Sequence, residues 1–150
     1  ETTKQNFVLV DTVFQISLNN KYFNKFILSI LHSKIMNWYV YRFIFAKAVR
    51  TFQFSNDVLK KIPIPKIDEE SQKPFIKLVD EILEAKQKIK DYKSLLDEAI
   101  KTNSFDREIA LKKELENLEN ICTTNEKTID QMVYKLYDLT PDEIKIVEGV

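Results

Sequence analysis

The chain has 150 residues, is 44% hydrophobic and carries no formal net charge, a composition typical of a soluble globular domain. With one cysteine, one histidine and one glycine, it has no material for a disulfide framework, a multi-histidine metal site or a glycine-rich nucleotide loop. Residues 1–66 nevertheless carry ten basic against three acidic side chains, whereas residues 67–150 carry thirteen against twenty. This division favours a polyanionic partner for the front half and protein or water for the back half.

The first residues and the lone Cys122 indicate where the chain would act. It begins with Glu1 and shows no charged-then-apolar leader, so we expect no signal peptide. An unpaired cysteine fits the reducing cytoplasm, and Lys34, Arg42 and Lys47 interrupt the longest apolar stretches, so no membrane span is expected. Because Glu1 leads almost directly into a strand-like run, we interpret the chain as part of a larger protein.

The front half predicts two short strands and then one long helix. Residues 7–10 and 12–18 are predicted strands, since apolar and polar side chains alternate in the second run. A helix is predicted from Lys21 to about Phe43. Its apolar stripe consists of Phe23, Phe26, Ile27, Ile30, Leu31, Ile35, Trp38 and Tyr41. Residues 51–54 fit a short strand or an extended loop, residues 55–59 a capped turn, and Pro63 and Pro65 an extended segment.

The back half predicts two long helices, because its apolar residues step by three and four like the seam of a coiled coil. Ser71 is the predicted N-cap, with Pro74 in the first turn. The first seam is Phe75, Leu78, Ile82, Ala85, Ile89, Tyr92, Leu96 and Ala99. The second is Leu111, Leu115, Leu118, Cys122, Asn125, Ile129, Met132, Leu136 and Leu139. Asn125 is interpreted as a register-setting polar residue, and residues 102–104 as the turn between the helices.

The C-terminal residues predict one more helix. Thr140 and Glu143 have the spacing of a capping box, Pro141 suits the first helical position and Gly149 suits the end. The elements together predict a mostly α fold with a small β element: an α-rich lobe, a long antiparallel two-helix hairpin and a short C-terminal helix. Residues 1–66 would form the lobe and residues 67–150 the hairpin with its terminal helix. The hairpin is expected to pack on another helix, from the same chain or from a second copy, and both remain open.

Basic residues of the front half form the candidate binding surface. Lys and Arg neutralise phosphates, and Arg and Gln also contact base edges. The candidates are Lys47, Arg50 and Gln53, surrounded by Lys34, Arg42, Lys60, Lys61 and Lys66. The alternative is that these charges only keep the lobe in solution. The aromatic residues 38, 39, 41 and 43 are able to stack on bases, although a helical aromatic stripe more often belongs to a core.

No catalytic residue, metal site or cofactor is expected within these 150 residues. Glu84-Ala85-Lys86 has the E-x-K spacing found in nucleases, but it lies in a strong helical pattern without a convincing partner acid. Because so short a motif arises often by chance, it is interpreted as a solvent-exposed helix face. Cys122 is interpreted as a small hydrophobic residue of the seam.

Several segments, in order, resemble a known family. Residues 26–39 (FILSILHSKIMNWY) resemble the FILGILNSKLxxWY helix of DNA methyltransferase specificity domains, with His32 where Asn is usual. Residues 47–54 (KAVRTFQF), residues 62–65 (IPIP) and the ending YKLYDLT with EIKIVEG follow in the same order. The chain thereby resembles the TaqI-like C-terminal specificity domain of type II restriction-modification enzymes, from about Val8 to its end.

The resemblance implies a target-recognition fragment that positions double-stranded DNA for adenine-N6 methylation. The methyltransferase domain, its S-adenosylmethionine and any endonuclease domain would precede Glu1 in the parent protein, and so would the first part of the recognition domain. The hairpin would then serve as a spacer or as a homodimerisation arm. The alternative is a coiled-coil scaffold or adaptor without a nucleic-acid role.

Overall fold

The computed structural model describes residues 21–44 and 56–149, and these residues form helices and connecting turns without a strand. The helices are α1 (Asn24–His32), α2 (Lys34–Tyr39) with a π-helical turn (Val40–Ile44), α3 (Asn56–Leu59), α4 (Glu69–Lys101), α5 (Phe105–Leu136) and α6 (Pro141–Glu148). The predicted strands at residues 7–10 and 12–18, and the uncertain segment 51–54, lie outside the described residues. The mostly α fold with a long helical hairpin is confirmed.

Helices α4 and α5 form the antiparallel hairpin that the two seams predict. Cys122 lies against Ile82 and the Asn125 side-chain amide donates to Glu81 Oε2 at 2.8 Å. Arg107, near the start of α5, pairs with Glu98, near the end of α4, so the two helices run in opposite directions. The buried positions of both helices fall largely on the predicted seams. Residues 102–104 make the turn, with Asn103 in the left-handed region at φ 51°. The heptad pattern therefore identified the hairpin correctly.

The ends of the hairpin helices differ from the prediction in two places. Helix α4 begins three residues earlier than expected, because the Asp68 carboxylate accepts the Ser71 N–H at 2.8 Å and acts as the N-cap in place of Ser71. Pro74 is consequently the sixth helical residue. Helix α5 ends at Leu136, so Leu139 lies beyond the seam, after Asp138 turns the chain at φ 55°.

The single front helix predicted from Lys21 to Phe43 is wrong, because the chain breaks at Ser33. Ser33 is extended at φ −65° and ψ 152°, which separates α1 from α2. Its hydroxyl donates to the Ile30 carbonyl at 2.7 Å and accepts the Met36 N–H at 3.4 Å. One serine side chain thus serves both the end of α1 and the start of α2.

Helix α1 packs against α4 and completes the core. Phe26, which is fully buried, meets Phe75 of α4 edge-to-face with ring centroids 5.3 Å apart. Buried residues of α1, α2, α4 and α5 belong to one hydrophobic cluster, so described residues on both sides of Lys66 share a core.

Helix α6 has the start and end that its sequence predicts. The Thr140 hydroxyl accepts the Glu143 N–H, while the Glu143 carboxylate accepts the Thr140 N–H at 2.8 Å, which completes the capping box. Gly149 ends the helix in the left-handed conformation at φ 76°.

Candidate functional site

Aromatic residues of α2 and the π-helical turn reach the surface. Tyr41 and Phe43, in the π-helical turn, are 54% and 64% exposed. Because a π-helix has a wider turn than an α-helix, residues after position 40 leave the buried stripe that a regular helix would continue. The expectation that Tyr41 belongs to the buried stripe is therefore wrong.

The aromatic rings contact one another, and the guanidinium group of Arg42 lies over one of them. The Phe43 ring lies 5.6 Å from that of Trp38 and 5.4 Å from that of Tyr39, between ring centroids. The Arg42 guanidinium lies 5.2 Å from the Trp38 ring centroid, a cation–π distance. The Trp38 indole N–H is buried with no hydrogen-bond partner among the described residues.

Residues 60–65, which include Pro63 and Pro65, meet this cluster through the backbone of Lys61. The Tyr39 hydroxyl donates to the Lys61 carbonyl at 3.3 Å, and the Tyr137 hydroxyl donates to the Pro63 carbonyl at 2.6 Å. These two bonds hold the segment against α2 and the end of α5. We call the resulting area the aromatic–basic surface; it comprises Trp38, Tyr39, Tyr41, Arg42, Phe43, Lys60 and Lys61.

The predicted DNA-binding residues fall into three groups. Lys47, Arg50 and Gln53 lie outside the described residues. Lys60 and Lys61 are exposed on the aromatic–basic surface, Lys60 with its ammonium 3.8 Å from Asp57. Lys34 lies elsewhere, at the first residue of α2, where its ammonium is 3.5 Å from Glu148 Oε1. The structure therefore does not place Lys34 beside Lys60 and Lys61.

Lys34 belongs to a polar junction of α2, α5 and α6. The Asp130 carboxylate, 7% exposed, accepts the Lys34 N–H at 2.8 Å. The Tyr134 hydroxyl donates to Glu148 Oε1 at 3.3 Å, and burial raises the pKa of that hydroxyl. Three residues of this junction were not among the site residues predicted from the sequence: Asp130, Tyr134 and Glu148. The one available signal was an acidic residue directly beside the seam position Ile129.

A groove of about 630 Å³ lies beside this junction, between α1, α4 and α5. Its floor is apolar, with Val79, Ile82 and Ile129, and its rim carries charged side chains. The rim residues are Lys34, Lys86, Glu126 and Lys127. The Lys86 ammonium is 3.2 Å from Glu126, so opposite charges on the rim already pair across the hairpin.

The residues considered for chemistry on the hairpin have ordinary structural environments. Glu84 and Lys86 of the E-x-K tripeptide are exposed, and each pairs with another side chain, Lys88 and Glu126 respectively. Burial raises the pKa of the Cys122 thiol, which disfavours the reactive thiolate. In residues 21–44 and 56–149 no group of three or more His, Cys, Asp or Glu side chains is placed to hold a metal ion.

Comparison with known proteins returns no matching family model, curated protein or solved structure. Among the described helices, none is both long enough and apolar enough to cross a membrane.

Proposed function

We propose that this chain is a DNA target-recognition fragment of a cytoplasmic restriction-modification enzyme, whose basic lobe contacts duplex DNA. In the proposal, domains that precede Glu1 bind S-adenosylmethionine and methylate adenine at N6, and the 150 residues themselves have no catalytic role. The hairpin of α4 and α5 supports the lobe at a fixed distance from neighbouring parts of the enzyme.

The observation that carries the proposal is the composition of the aromatic–basic surface. Arg42, Lys60 and Lys61 supply positive charge beside exposed aromatic rings, in the half of the chain with the excess of basic residues. Cations neutralise phosphates and aromatic rings stack on bases or sugars, so the two kinds of side chain together suit nucleic acid. The ordered segments that resemble specificity domains favour duplex DNA as the ligand.

Binding of duplex DNA by the 150-residue chain at two salt concentrations tests the proposal. Wild type is expected to bind weakly and with strong salt dependence. Because counterion release scales with the number of phosphate contacts, Lys60→Ala and Lys61→Ala should each reduce the log–log salt slope by about one unit. Lys112→Ala and Lys113→Ala near the hairpin turn are the matched controls and should leave the slope unchanged. Equal slopes in all five proteins would contradict a DNA role for this surface.

The residues predicted from sequence are tested in the parent enzyme on its cognate duplex. Arg50→Ala should weaken binding by about 1–3 kcal/mol and relax specificity at one position if Arg50 contacts a base edge. Lys47→Ala should weaken binding to every sequence to a similar degree. Unchanged affinity and salt slope in both variants would leave Lys47 and Arg50 as solubilising charges.

The coding sequence upstream of Glu1 separates the proposal from a coiled-coil scaffold without a nucleic-acid role. An NPPY-type methyltransferase motif is expected there, and its absence together with a lack of DNA binding would favour the scaffold. In that case the long hairpin would be the interacting element.

A further inference from the structure

Helix α2 begins with a backbone N–H group that needs an acceptor from elsewhere in the chain. The first N–H groups of any helix have no partner within the helix. At α2 the Ser33 hydroxyl accepts the Met36 N–H, but it leaves the Lys34 N–H without a local acceptor. Since Ser33 is 1% exposed, water has little access to this point, and an unpaired N–H here would be costly.

The missing acceptor is supplied from 96 residues further along the chain. Asp130 of α5 accepts the Lys34 N–H with Oδ1 at 2.8 Å, and the carboxylate also lies where the positive end of α2 favours an anion. Glu148 of α6 adds a second tie, to the Lys34 ammonium at 3.5 Å, and itself accepts the Tyr134 hydroxyl. The start of α2 is thus bonded to both α5 and α6.

Placing the charged Asp130 carboxylate at this buried position has an electrostatic cost. Burial raises its pKa, the Lys34 N–H and ammonium oppose that shift, and Glu148 and Glu126 add to it. Tyr134 is the further titratable group that interacts with it. A hydrophobic residue would pack at a buried helix position without this cost. Unlike a hydrophobic side chain, the Asp130 carboxylate accepts a hydrogen bond from the first N–H group of α2.

We infer that Asp130 is a positioning residue that sets the angle at which α2 lies against α5, and with it the placement of the aromatic–basic surface. The reason is continuity: α2 runs from Lys34 to Tyr39 and continues without a gap into the turn that carries Arg42 and Phe43. A change of angle at Lys34 therefore displaces Arg42 and Phe43 relative to Lys60 and Lys61. This inference rests on the proposed DNA contact for its functional consequence, but its structural part is measured separately.

Two substitutions of similar size separate the bond from the packing. Asp130→Asn keeps an oxygen acceptor and removes the charge, whereas Asp130→Leu keeps the four branched side-chain heavy atoms and removes the acceptor. Amide exchange at Lys34, followed by NMR, is expected to be at least about tenfold faster in Asp130→Leu and close to wild type in Asp130→Asn. Asp97→Leu, at an exposed position of α4, is the control. Unchanged Lys34 exchange in Asp130→Leu would overturn the inference.

Wild-type protein gives a second measurement that does not depend on a variant folding. Because the Lys34 N–H bonds to a carboxylate, its proton resonance should titrate together with the Asp130 carboxyl, at a pH above the ordinary range for aspartate. A Lys34 resonance that does not follow Asp130 would overturn the bond itself.

Duplex DNA binding tests the functional consequence. Asp130→Leu is expected to bind about tenfold more weakly than wild type, with Asp130→Asn and Asp97→Leu near wild type. Fast Lys34 exchange with unchanged DNA affinity would overturn the coupling to the aromatic–basic surface. A wild type that binds no DNA would instead contradict the proposed function, and the exchange and titration results would still decide whether Asp130 positions α2.

Discussion

Gln72 links α4 to residues 21–23 through one buried side chain. It is fully buried on α4, accepts the Phe23 N–H at 3.0 Å and donates to the Lys21 carbonyl at 2.9 Å. It thereby satisfies backbone groups just before α1, where Phe23 has no side-chain cap of its own. Buried polar groups are retained when their hydrogen bonds are made, and Gln72 makes them for a neighbouring segment as well as for itself.

Gln72→Leu is expected to lower the free energy of unfolding by about 1–3 kcal/mol. The leucine would leave the Phe23 N–H and the Lys21 carbonyl without the Gln72 partner, and each lost hydrogen bond costs about 0.5–1.5 kcal/mol. Gln87→Leu, at an exposed position of the same helix, is the control and should change the free energy of unfolding by less than about 0.5 kcal/mol. Urea unfolding followed by circular dichroism measures both. A Gln72→Leu protein as stable as the control would show that water replaces the side chain.

At the scale of elements, the attachment of α1 to the hairpin depends on aromatic packing. Phe26 lies between Tyr22, whose ring stacks at 6.3 Å, and Phe75 of α4. The exposed ion pair of Lys25 with Asp80 links the same two helices, but exposed pairs contribute little because solvent screens them. The packing of Phe26 on Phe75 is therefore the main interaction that holds α1 against α4.

Phe26→Ala should lower the free energy of unfolding by about 3–5 kcal/mol, the range for removal of a buried phenylalanine ring. Phe105→Ala is the matched control, since Phe105 at the start of α5 is 72% exposed, and it should change stability by less than about 0.5 kcal/mol. Chemical denaturation of the two variants provides the comparison. Similar losses in both would mean that the hairpin tip is covered in solution, for example by a second copy.

At the scale of the whole molecule, two tyrosines make the free energy of unfolding depend on pH in the alkaline range. Tyr134 lies in α5, and Tyr137 is the C-cap of that helix. Burial raises the pKa of Tyr137 to about 12, and it raises the pKa of Tyr134 as well. Because the folded-state pKa exceeds the unfolded value of about 10, the folded protein holds these protons more tightly. Their contribution is complete below pH 10 and is lost as pH rises through the folded pKa.

Tyr137→Phe should make the free energy of unfolding fall less steeply between pH 10 and pH 12 than in wild type. At neutral pH the variant should be less stable by about 1 kcal/mol, because the bond to the Pro63 carbonyl is lost. Tyr41→Phe, which alters an exposed ring, serves as the control and should follow the wild-type curve. Denaturant unfolding at a series of pH values measures this, and parallel curves for wild type and Tyr137→Phe would refute it.

The sequence by itself determined the elements whose signals are local. The seams of α4 and α5, the turn at residues 102–104 and the capping box of α6 follow from residue spacing and from side chains within four positions of one another. The exposure of Lys60 and Lys61 was also predictable, because charge and prolines mark their segment. These features need no knowledge of what lies across the fold.

The tertiary structure alone decided the break at Ser33, the burial of Gln72 and the exposure of Tyr41 and Phe43. The helical spacing of apolar residues continues on both sides of Ser33, so the sequence predicts one unbroken helix. Serine itself is no signal for a break, because it is common inside helices as well as at their ends. The break is stabilised by Asp130, and Gln72 is buried because it bonds residues 21 and 23. Partners this far apart in sequence leave no periodic pattern, since their proximity arises only when α1 and α2 pack on the hairpin.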